Sequence, residues 1–74
     1  MKINADTKKE CQRIGINLLI CRRRLNLCQK ELAKRSGISR SVISNIERGN
    51  SNFKLRSLIM IAEAMGTDYR NILQ

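Results

Sequence analysis

The 74-residue chain has no histidine, proline or tryptophan, and its aromatic residues are Phe53 and Tyr69. Because proline and long β-branched runs are missing, most positions suit a helix, and an all-α domain is expected. The scarcity of aromatic side chains argues against RNA binding, which depends on stacking. Without histidine, a carboxylate pair or a glycine-rich phosphate loop, we find no enzymatic site to assign.

The three cysteines, Cys11, Cys21 and Cys28, form an odd set without a C-x-x-C pair. A zinc site would need a further ligand from elsewhere, so neither a metal nor another cofactor is expected. Cys21 falls at a core-facing helical position. Cys28 falls at a helix N-terminus, where the thiolate is favoured, so a redox role stays open there.

No apolar run approaches the roughly 20 residues that span a bilayer. The first ten residues, MKINADTKKE, are too polar for a signal peptide, so a cytoplasmic protein is expected. The length predicts a single domain over residues 1–74, with residues 1–6 as a flexible arm.

Positive charge is concentrated in one part of the chain. Residues 8–56 hold 13 Lys and Arg against three Asp and Glu, a net charge of +10, whereas residues 57–74 have a net charge of −1. Such a field attracts polyanions and speeds their encounter. A nucleic-acid partner is therefore favoured over a merely solvated basic surface.

Helical signals divide the chain into five helices. The capping box T-K-K-E predicts that the first helix starts at Lys8, and Gly15 in its middle suggests a close helix–helix approach. Further helices are predicted at about residues 29–35, 40–48, 55–65 and 69–73. Gly37 requires positive φ between the second and third, and Ser39 caps the third. The predicted core residues are Ile14, Leu18, Cys21, Leu25, Leu27, Leu32, Ala33, Ile38, Ile43, Ile46, Leu55, Leu58, Ile61, Ala62 and Met65.

Residues 29–48 therefore read as two short helices joined by a tight turn. Three segments, L-C-Q-K-E-L-A (27–33), S-R-S-V-I-S-N-I-E-R-G (39–49) and L-R-S-L-I-M-I-A-E-A-M-G (55–66), resemble the helix-turn-helix family of phage lambda repressor and Cro, the XRE family. The resemblance covers nearly the whole chain. It implies a five-helix, lambda-repressor-like DNA-binding domain that binds a palindromic operator as a homodimer.

The resemblance also implies residue roles. Arg22 and Glu47 match an ion pair between the first and third helices. Base reading is assigned to the polar face of the third helix, at Arg40, Ser41 and Asn45, and Ser44 matches a position that touches a phosphate or a base edge. The resemblance assigns phosphate contacts to Gln29 and to the loop of residues 50–54, which contains Asn50, Asn52 and Lys54. On their charge, Lys30, Arg35, Lys54 and Arg56 are also predicted to contact phosphates, with a plain solvated charge as the alternative for each. Cys28 stands where Ser or Thr is usual, which weakens that cap, and Phe53 stands where proline is common.

The chemistry of the recognition residues leaves alternatives open. The planar fork of Arg40 fits guanine O6 and N7, against a phosphate contact that carries no sequence information. Asn45 either pairs with adenine or stays hydrated, and Ser41 reaches a base edge or a phosphate. Gln29 is either a phosphate contact or a solvent-facing residue of the first helical turn.

A dimer is expected because a single recognition helix reads too few base pairs for useful specificity. The predicted interface lies in the weakly charged C-terminal part: Ile59, Met60, Tyr69, Ile72 and Leu73. These residues, Ile72 above all, could instead complete the monomer core. No small-molecule ligand is expected, so regulation would act through protein concentration.

Residues 40–52, R-S-V-I-S-N-I-E-R-G-N-S-N, also resemble the controller proteins of restriction-modification systems. A small phage-type repressor shares most of these residues. The function expected is therefore a bacterial or phage-encoded transcriptional regulator acting at the nucleoid and controlling its own gene. Activation would require a contact with RNA polymerase, for which no surface is identified. The alternative is an antitoxin or another protein-interaction module that also binds DNA.

Overall fold

The computed structural model describes residues 5–50 and 53–74, with side chains from residue 7, and these ranges form five helices and no strand. The all-α, five-helix prediction is confirmed. Within the described residues, no helix combines the length and apolar character needed to cross a bilayer. The helices are α1 (Ala5–Arg24), α2 (Gln29–Ser36), α3 (Arg40–Glu47), α4 (Leu55–Ala64) and α5 (Tyr69–Leu73).

One apolar core joins all five helices. Helix α1 packs against α3 and α5, while α2 packs against α3 and α4, and α4 also contacts α5. Gly15 provides the close approach between α1 and α3 that the sequence suggested. Removing large aliphatic side chains from water is the main stabilising contribution in so short a chain. The largest fully buried side chains are Leu18, Leu32, Ile43, Ile46, Leu58, Ile61 and Ile72.

The beginning of α1 differs from the prediction. The helix starts at Ala5 and not at Lys8, so residues 5 and 6 belong to the helix and not to an arm. Residues 1–4 of the predicted arm lie outside the described residues. The T-K-K-E sequence lies within the helix and not at its start. Its residues are compatible with a helical interior as well as with a cap.

Two predicted core leucines are exposed. Leu25 is 46% exposed and Leu55 is 53% exposed. Leu25 lies just beyond the end of α1, and Leu55 is the first residue of α4. At these positions no further helical turn, after Leu25 or before Leu55, packs the side chain against the core. Cys11 is buried instead and extends the α1 stripe by two turns before Leu18.

The short helix α5 is tied to α1 through its last carbonyl groups. Asn17 Nδ2 donates to the carbonyl oxygens of Ile72 at 2.9 Å and Gln74 at 2.7 Å, and Arg13 Nη1 donates to that of Leu73 at 2.6 Å. These donors satisfy carbonyls that have no partner within the helix. These hydrogen bonds hold α5 against α1, and α4 also packs against α5.

Candidate nucleic-acid interface

The turn between α2 and α3 is set by local backbone and side-chain hydrogen bonds. Gly37 adopts φ 75° and its N–H donates to the carbonyl of Ala33 at 3.0 Å, which ends α2. The N–H of Ile38 donates to Ser36 Oγ at 3.1 Å. Ser39 Oγ then accepts from the N–H of Val42 at 3.2 Å and starts α3. The predicted positive φ and the predicted cap are both confirmed.

Helix α3 has a buried face and a polar face on opposite sides. Ile43 and Ile46 are fully buried. The four residues predicted to read bases fall on the other side, because they lie one and four positions apart along the helix. Arg40 and Ser41 are exposed, and Ser44 and Asn45 are half-buried. The structure thus brings these four side chains together on one accessible surface, which we call the outer face of α3.

Arg22 and Glu47 form a buried ion pair that fixes α3 to α1. Arg22 Nε lies 2.7 Å from Glu47 Oε2, and Arg22 Nη2 lies 2.9 Å from Glu47 Oε1. Only 10% and 6% of the two side chains are exposed. The hydrogen bond to Glu47 raises the pKa of Arg22, although burial opposes this shift. Arg22 Nη1 also donates to the carbonyl of Leu27 at 2.8 Å, so the α1–α2 connection joins the same network.

Gln29 extends this network to α2. Its Nε2 donates to Glu47 Oε1 at 2.9 Å, so one carboxylate receives donors from both α1 and α2. The orientation of the Gln29 amide is thereby fixed at the first position of α2. Among the residues that the structure describes, one N–H and the carbonyl oxygen of that amide have no side-chain partner. The Glu47 carboxylate of α3 is thus paired within the protein and turned away from the outer face.

Cys28 caps α2 through a reciprocal pair of hydrogen bonds. Its Sγ accepts from the N–H of Glu31 at 3.4 Å, and its own N–H donates to Glu31 Oε1 at 3.3 Å. Hydrogen bonds from the side chain and the backbone N–H of Cys28 to the Glu31 carboxylate lower the pKa of Glu31. The capping box is complete, with sulfur in place of the usual hydroxyl oxygen as a weak acceptor.

The basic residues predicted to contact phosphates all reach solvent. Lys54 lies with Phe53, Ser57 and Val42 around a shallow groove, which places it beside α3. For the other basic residues of this set, the structure shows that the side chains are accessible to solvent. Asn52 lies outside the described residues. The exposed members are Lys30, Arg35, Asn50, Lys54 and Arg56.

Arg48 belongs to the polar surface of α3 but was missed by the sequence reasoning. Its Nη2 donates to Asn45 Oδ1, and Asn50 Nδ2 donates to the same oxygen at 3.3 Å. The signal was available, because residues three apart on a helix are neighbours. Arg48 caps α3 and remains exposed.

The predicted dimer residues do not form one surface. Ile72 is only 2% exposed and belongs to the monomer core, which corrects its assignment to an interface. It is buried because the α1 side chains that bind α5 hold it inward. Ile59 and Tyr69 line a shallow groove together with Glu63. Leu73 is half-buried against the core, and Met60 approaches Gly37 of α2 instead.

In the ranges that the structure describes, no three His, Cys, Asp or Glu side chains lie close enough to hold a metal ion. The three cysteines are free thiols, with Cys11 buried, Cys21 half-buried and Cys28 exposed.

Comparison with known proteins identifies similar chains. Residues 18–71 match the model of the helix-turn-helix family HTH_3. The chain is 36% identical over 56 residues to the uncharacterized HTH-type transcriptional regulator y4dJ of Sinorhizobium fredii (strain NBRC 101917 / NGR234), covering 76% of this chain and 73% of that protein. It is 40% identical over 48 residues to the control protein C.SmaI of Serratia marcescens, covering 65% of this chain and 57% of that protein.

Solved structures give the same picture. The restriction-modification controller protein C.AhdI from Aeromonas hydrophila superposes with a TM-score of 0.82 at 30% identity, covering 86% of this chain and 97% of that one. The hypothetical transcription factor NHTF from Neisseria superposes with a TM-score of 0.83 at 24% identity, covering 100% of this chain and 85% of that one, which shows a shared fold.

Proposed function

Since this chain belongs to the helix-turn-helix family HTH_3, a family of DNA-binding transcriptional regulators and not of enzymes, we propose that it binds a palindromic operator as a homodimer. In this proposal residues 1–74 act as one domain, and α3 enters the major groove. A regulator of this kind acts at the nucleoid, which places it in the cytoplasm.

The outer face of α3 is the observation that carries the proposal. It presents Arg40, Ser41, Ser44 and Asn45 from a helix whose other side is anchored by Ile43, Ile46 and the buried pair with Arg22. An α-helix fits the major groove of B-DNA, and polar side chains on its exposed side meet the base edges. The net charge of +10 over residues 8–56 supplies the attraction to the phosphates.

Arg40 is the residue we assign to a guanine. It is the first residue of α3 and is exposed, so its guanidinium is free to extend into the groove. The parallel N–H groups of arginine match guanine O6 and N7. Ser41, Ser44 and Asn45 read neighbouring base edges from the next positions of the same face.

The phosphate contacts surround this face. Gln29 lies at the N-terminus of α2, where backbone N–H groups and the helix dipole favour an anion, and its remaining amide N–H donates to a phosphate oxygen. Lys54 lies beside α3, near Val42. The remaining contacts are assigned to Lys30, Arg35, Asn50 and Arg56, and Asn52 keeps its assignment from the sequence.

The homodimer uses the groove lined by Ile59, Glu63 and Tyr69. This surface lies on α4 and α5, away from the basic excess, so two copies meet there without strong charge repulsion. A two-fold axis through it presents two α3 helices to half-sites about one helical turn apart. Met60 and Leu73 pack against other parts of the monomer and are not assigned to this surface.

Among regulators of this family, we place the chain with the controllers of restriction-modification systems. The similarity to C.SmaI and C.AhdI supports this subclass, although the matched part of this chain spans 57% of C.SmaI. The chain would then control its own gene by binding upstream of it, with occupancy set by its concentration. Activation through RNA polymerase would need a further surface, which we leave unassigned.

The test is a selection of binding sites from a pool of random 30-base-pair duplexes, followed by footprinting of the selected DNA. Wild-type protein is compared with Arg40→Ala and with Arg23→Ala, which removes an equal charge from an exposed position of α1. We expect wild type and Arg23→Ala to protect a palindrome. Arg40→Ala should retain weak non-sequence-specific binding and lose the protection.

Two results would contradict the proposal. If all three proteins bind every duplex equally, the chain has no sequence-specific readout and acts as a basic coat or a partner-binding module. If the protected site lacks two-fold symmetry and sedimentation shows a monomer on DNA, the dimer is wrong. Ile59→Asp should convert a dimer to monomers, whereas Ile16→Asp, at a 53% exposed position of α1, should not.

A further inference from the structure

We propose that Arg48 and Asn50 fix the side chain of Asn45 so that it reads DNA as a hydrogen-bond donor only. The inference rests on the proposed function, because it requires that the outer face of α3 meets base edges. It assigns Arg48 and Asn50 as positioning residues that determine which bases Asn45 accepts.

The C-terminus of α3 brings these three residues together. The N–H of Asn50 donates to the carbonyl of Asn45 at 3.0 Å, and the N–H of Gly49 donates to the carbonyl of Ile46 at 3.0 Å. This pair of bonds is the Schellman arrangement, in which a left-handed residue turns the chain back over the helix end. Gly49 supplies the left-handed conformation, with φ 85°.

The turn is also confined from α1. A Cβ atom on residue 49 would lie 2.9 Å from Gln12 Cγ and 3.2 Å from Gln12 Cα. No larger residue fits without moving α1 or the turn. Asn50 is therefore held over the last turn of α3 by its backbone hydrogen bond to Asn45 and by the contact of the Gly49 turn with Gln12 of α1.

The side-chain amide oxygen of Asn45, Oδ1, accepts hydrogen bonds from two donors. Arg48 Nη2 and Asn50 Nδ2 both donate to Oδ1. The identity of the atom is fixed by chemistry, because a guanidinium can only donate and must face the oxygen of the amide. Both lone pairs of Oδ1 are then occupied. The Nδ2 amino group has no protein partner in the described part of the chain and stays available to a further acceptor.

This arrangement changes what an asparagine can read. Asparagine recognises adenine by donating to N7 and accepting from the N6 amino group. With Oδ1 occupied, the acceptor half of that pair is missing, and the N6 amino group would face no acceptor. Guanine O6 and N7 are both acceptors and match a donor. Asn45 should therefore favour guanine over adenine at the position it contacts.

The experiment begins with the selected site described above. The base pair read by Asn45 is identified as the one whose substitution no longer changes the affinity of Asn45→Ala. Affinities are then measured for duplexes that carry guanine, adenine or unsubstituted purine at this position. Purine retains N7 but lacks the N6 amino group.

For the wild-type protein we expect guanine to be preferred over adenine by roughly fivefold or more. Replacing adenine by purine should not weaken binding. Arg48→Met frees one lone pair of Oδ1, so the preference should move toward adenine, and adenine should then be preferred over purine. Arg23→Met loses the same charge elsewhere and should keep the wild-type ratios. Because the readout is a ratio between duplexes, a uniform loss of affinity cancels.

The outcomes separate the two proposals. Preference of wild type for adenine, with lower affinity for purine, would overturn the donor-only assignment while leaving the operator-binding function intact. Unchanged base preferences in Asn45→Ala would overturn it as well. Failure to select any site would overturn the proposed function and, with it, this inference.

Discussion

Gly15 lies directly against the backbone of Ile46, so that a Cβ atom on residue 15 would be 2.3 Å from the carbonyl oxygen of Ile46 and 2.9 Å from that of Glu47. Helix α3 thus packs directly against the backbone of α1 at this point. The lack of a side chain sets the distance between the two helices.

Gly15→Ala should destabilise the protein by about 1–3 kcal/mol, as overpacking of a rigid contact typically does. Alanine gains up to about 1 kcal/mol in helix propensity over glycine, which the backbone clash outweighs. Urea denaturation measures the difference. Gly66→Ala is the control, because its Cβ meets nothing within 4 Å and only its φ of 71° opposes the change. A Gly15→Ala protein as stable as wild type would show that α3 can move away freely.

Glu47→Ala should cost about 3–5 kcal/mol, because it leaves the Arg22 guanidinium buried without its anion. Glu10→Ala breaks an exposed ion pair with Arg13 and should cost no more than about 0.5 kcal/mol. If Glu47→Ala does not fold, the double variant Arg22→Met, Glu47→Leu removes both charges and should recover the fold. Equal losses for Glu47→Ala and Glu10→Ala would argue that burial of the pair is unimportant.

Cys28→Ser should raise the Tm by about 2–5 °C, because a hydroxyl oxygen accepts the Glu31 N–H better than sulfur does. Cys28→Ala removes the acceptor and should lower the Tm. Both are compared by circular dichroism in the presence of a reductant. The cap would be energetically irrelevant if the serine and alanine variants melted together.

The ion pair at the start of α5 predicts a specific pH dependence. Hydrogen bonds from Arg70 lower the pKa of Asp68 from 3.8 to about 2. A carboxyl whose pKa is lower in the folded state stabilises that state above its unfolded pKa, and this stabilisation is lost as the pH falls toward the folded pKa. The Tm advantage of wild type over Asp68→Asn should therefore hold above pH 5 and disappear between about pH 4 and pH 2.

In Arg70→Gln the pKa of the Asp68 carboxyl returns toward its ordinary value, so the Asp68→Asn substitution in that background should show little pH dependence over the same range. A wild-type advantage that persisted at pH 2 would contradict the assignment of the pKa shift.

Lys54→Ala should reduce the log–log salt dependence of operator binding by about 0.9 per subunit, since one phosphate contact fewer releases one counterion fewer. Base preferences should not change, because phosphates carry no sequence information. Lys9→Ala, at an exposed position of α1, should leave the slope as it is. Equal slopes for the two variants would remove Lys54 from the phosphate contacts.

The helices and their core were predictable because they depend on local signals. The stops at Gly37 and Gly49, the cap at Ser39 and the burial of Ile43 and Ile46 each follow from residue type and helical spacing. Ends of helices were less predictable. The T-K-K-E signal suits a helix interior as well as a helix start, and spacing alone does not show that Leu55 precedes the first turn facing the core.

The sequence predicted which residues belong to the site, but not all of the contacts between them. The outer face of α3 followed from its period, and the pairing of Arg22 with Glu47 was expected from the resemblance. The hydrogen bond from Gln29 to Glu47 joins residues 18 positions apart and depends on how α2 crosses α3. The sequence left two positions open for Ile72, the dimer interface and the monomer core. Only the packing of α5 on α1 decides between them.

The attachment of α3 has an evolutionary consequence. Its anchors, Ile43, Ile46 and Glu47, all face the protein, whereas Arg40 and Ser41 are exposed. Substitutions at these two exposed positions leave the anchors in place, so in the proposed binding mode the target sequence can diverge between related chains while the scaffold stays constant. If the proposed readout holds, libraries in which those two positions are randomised should yield regulators with new operators on the same scaffold.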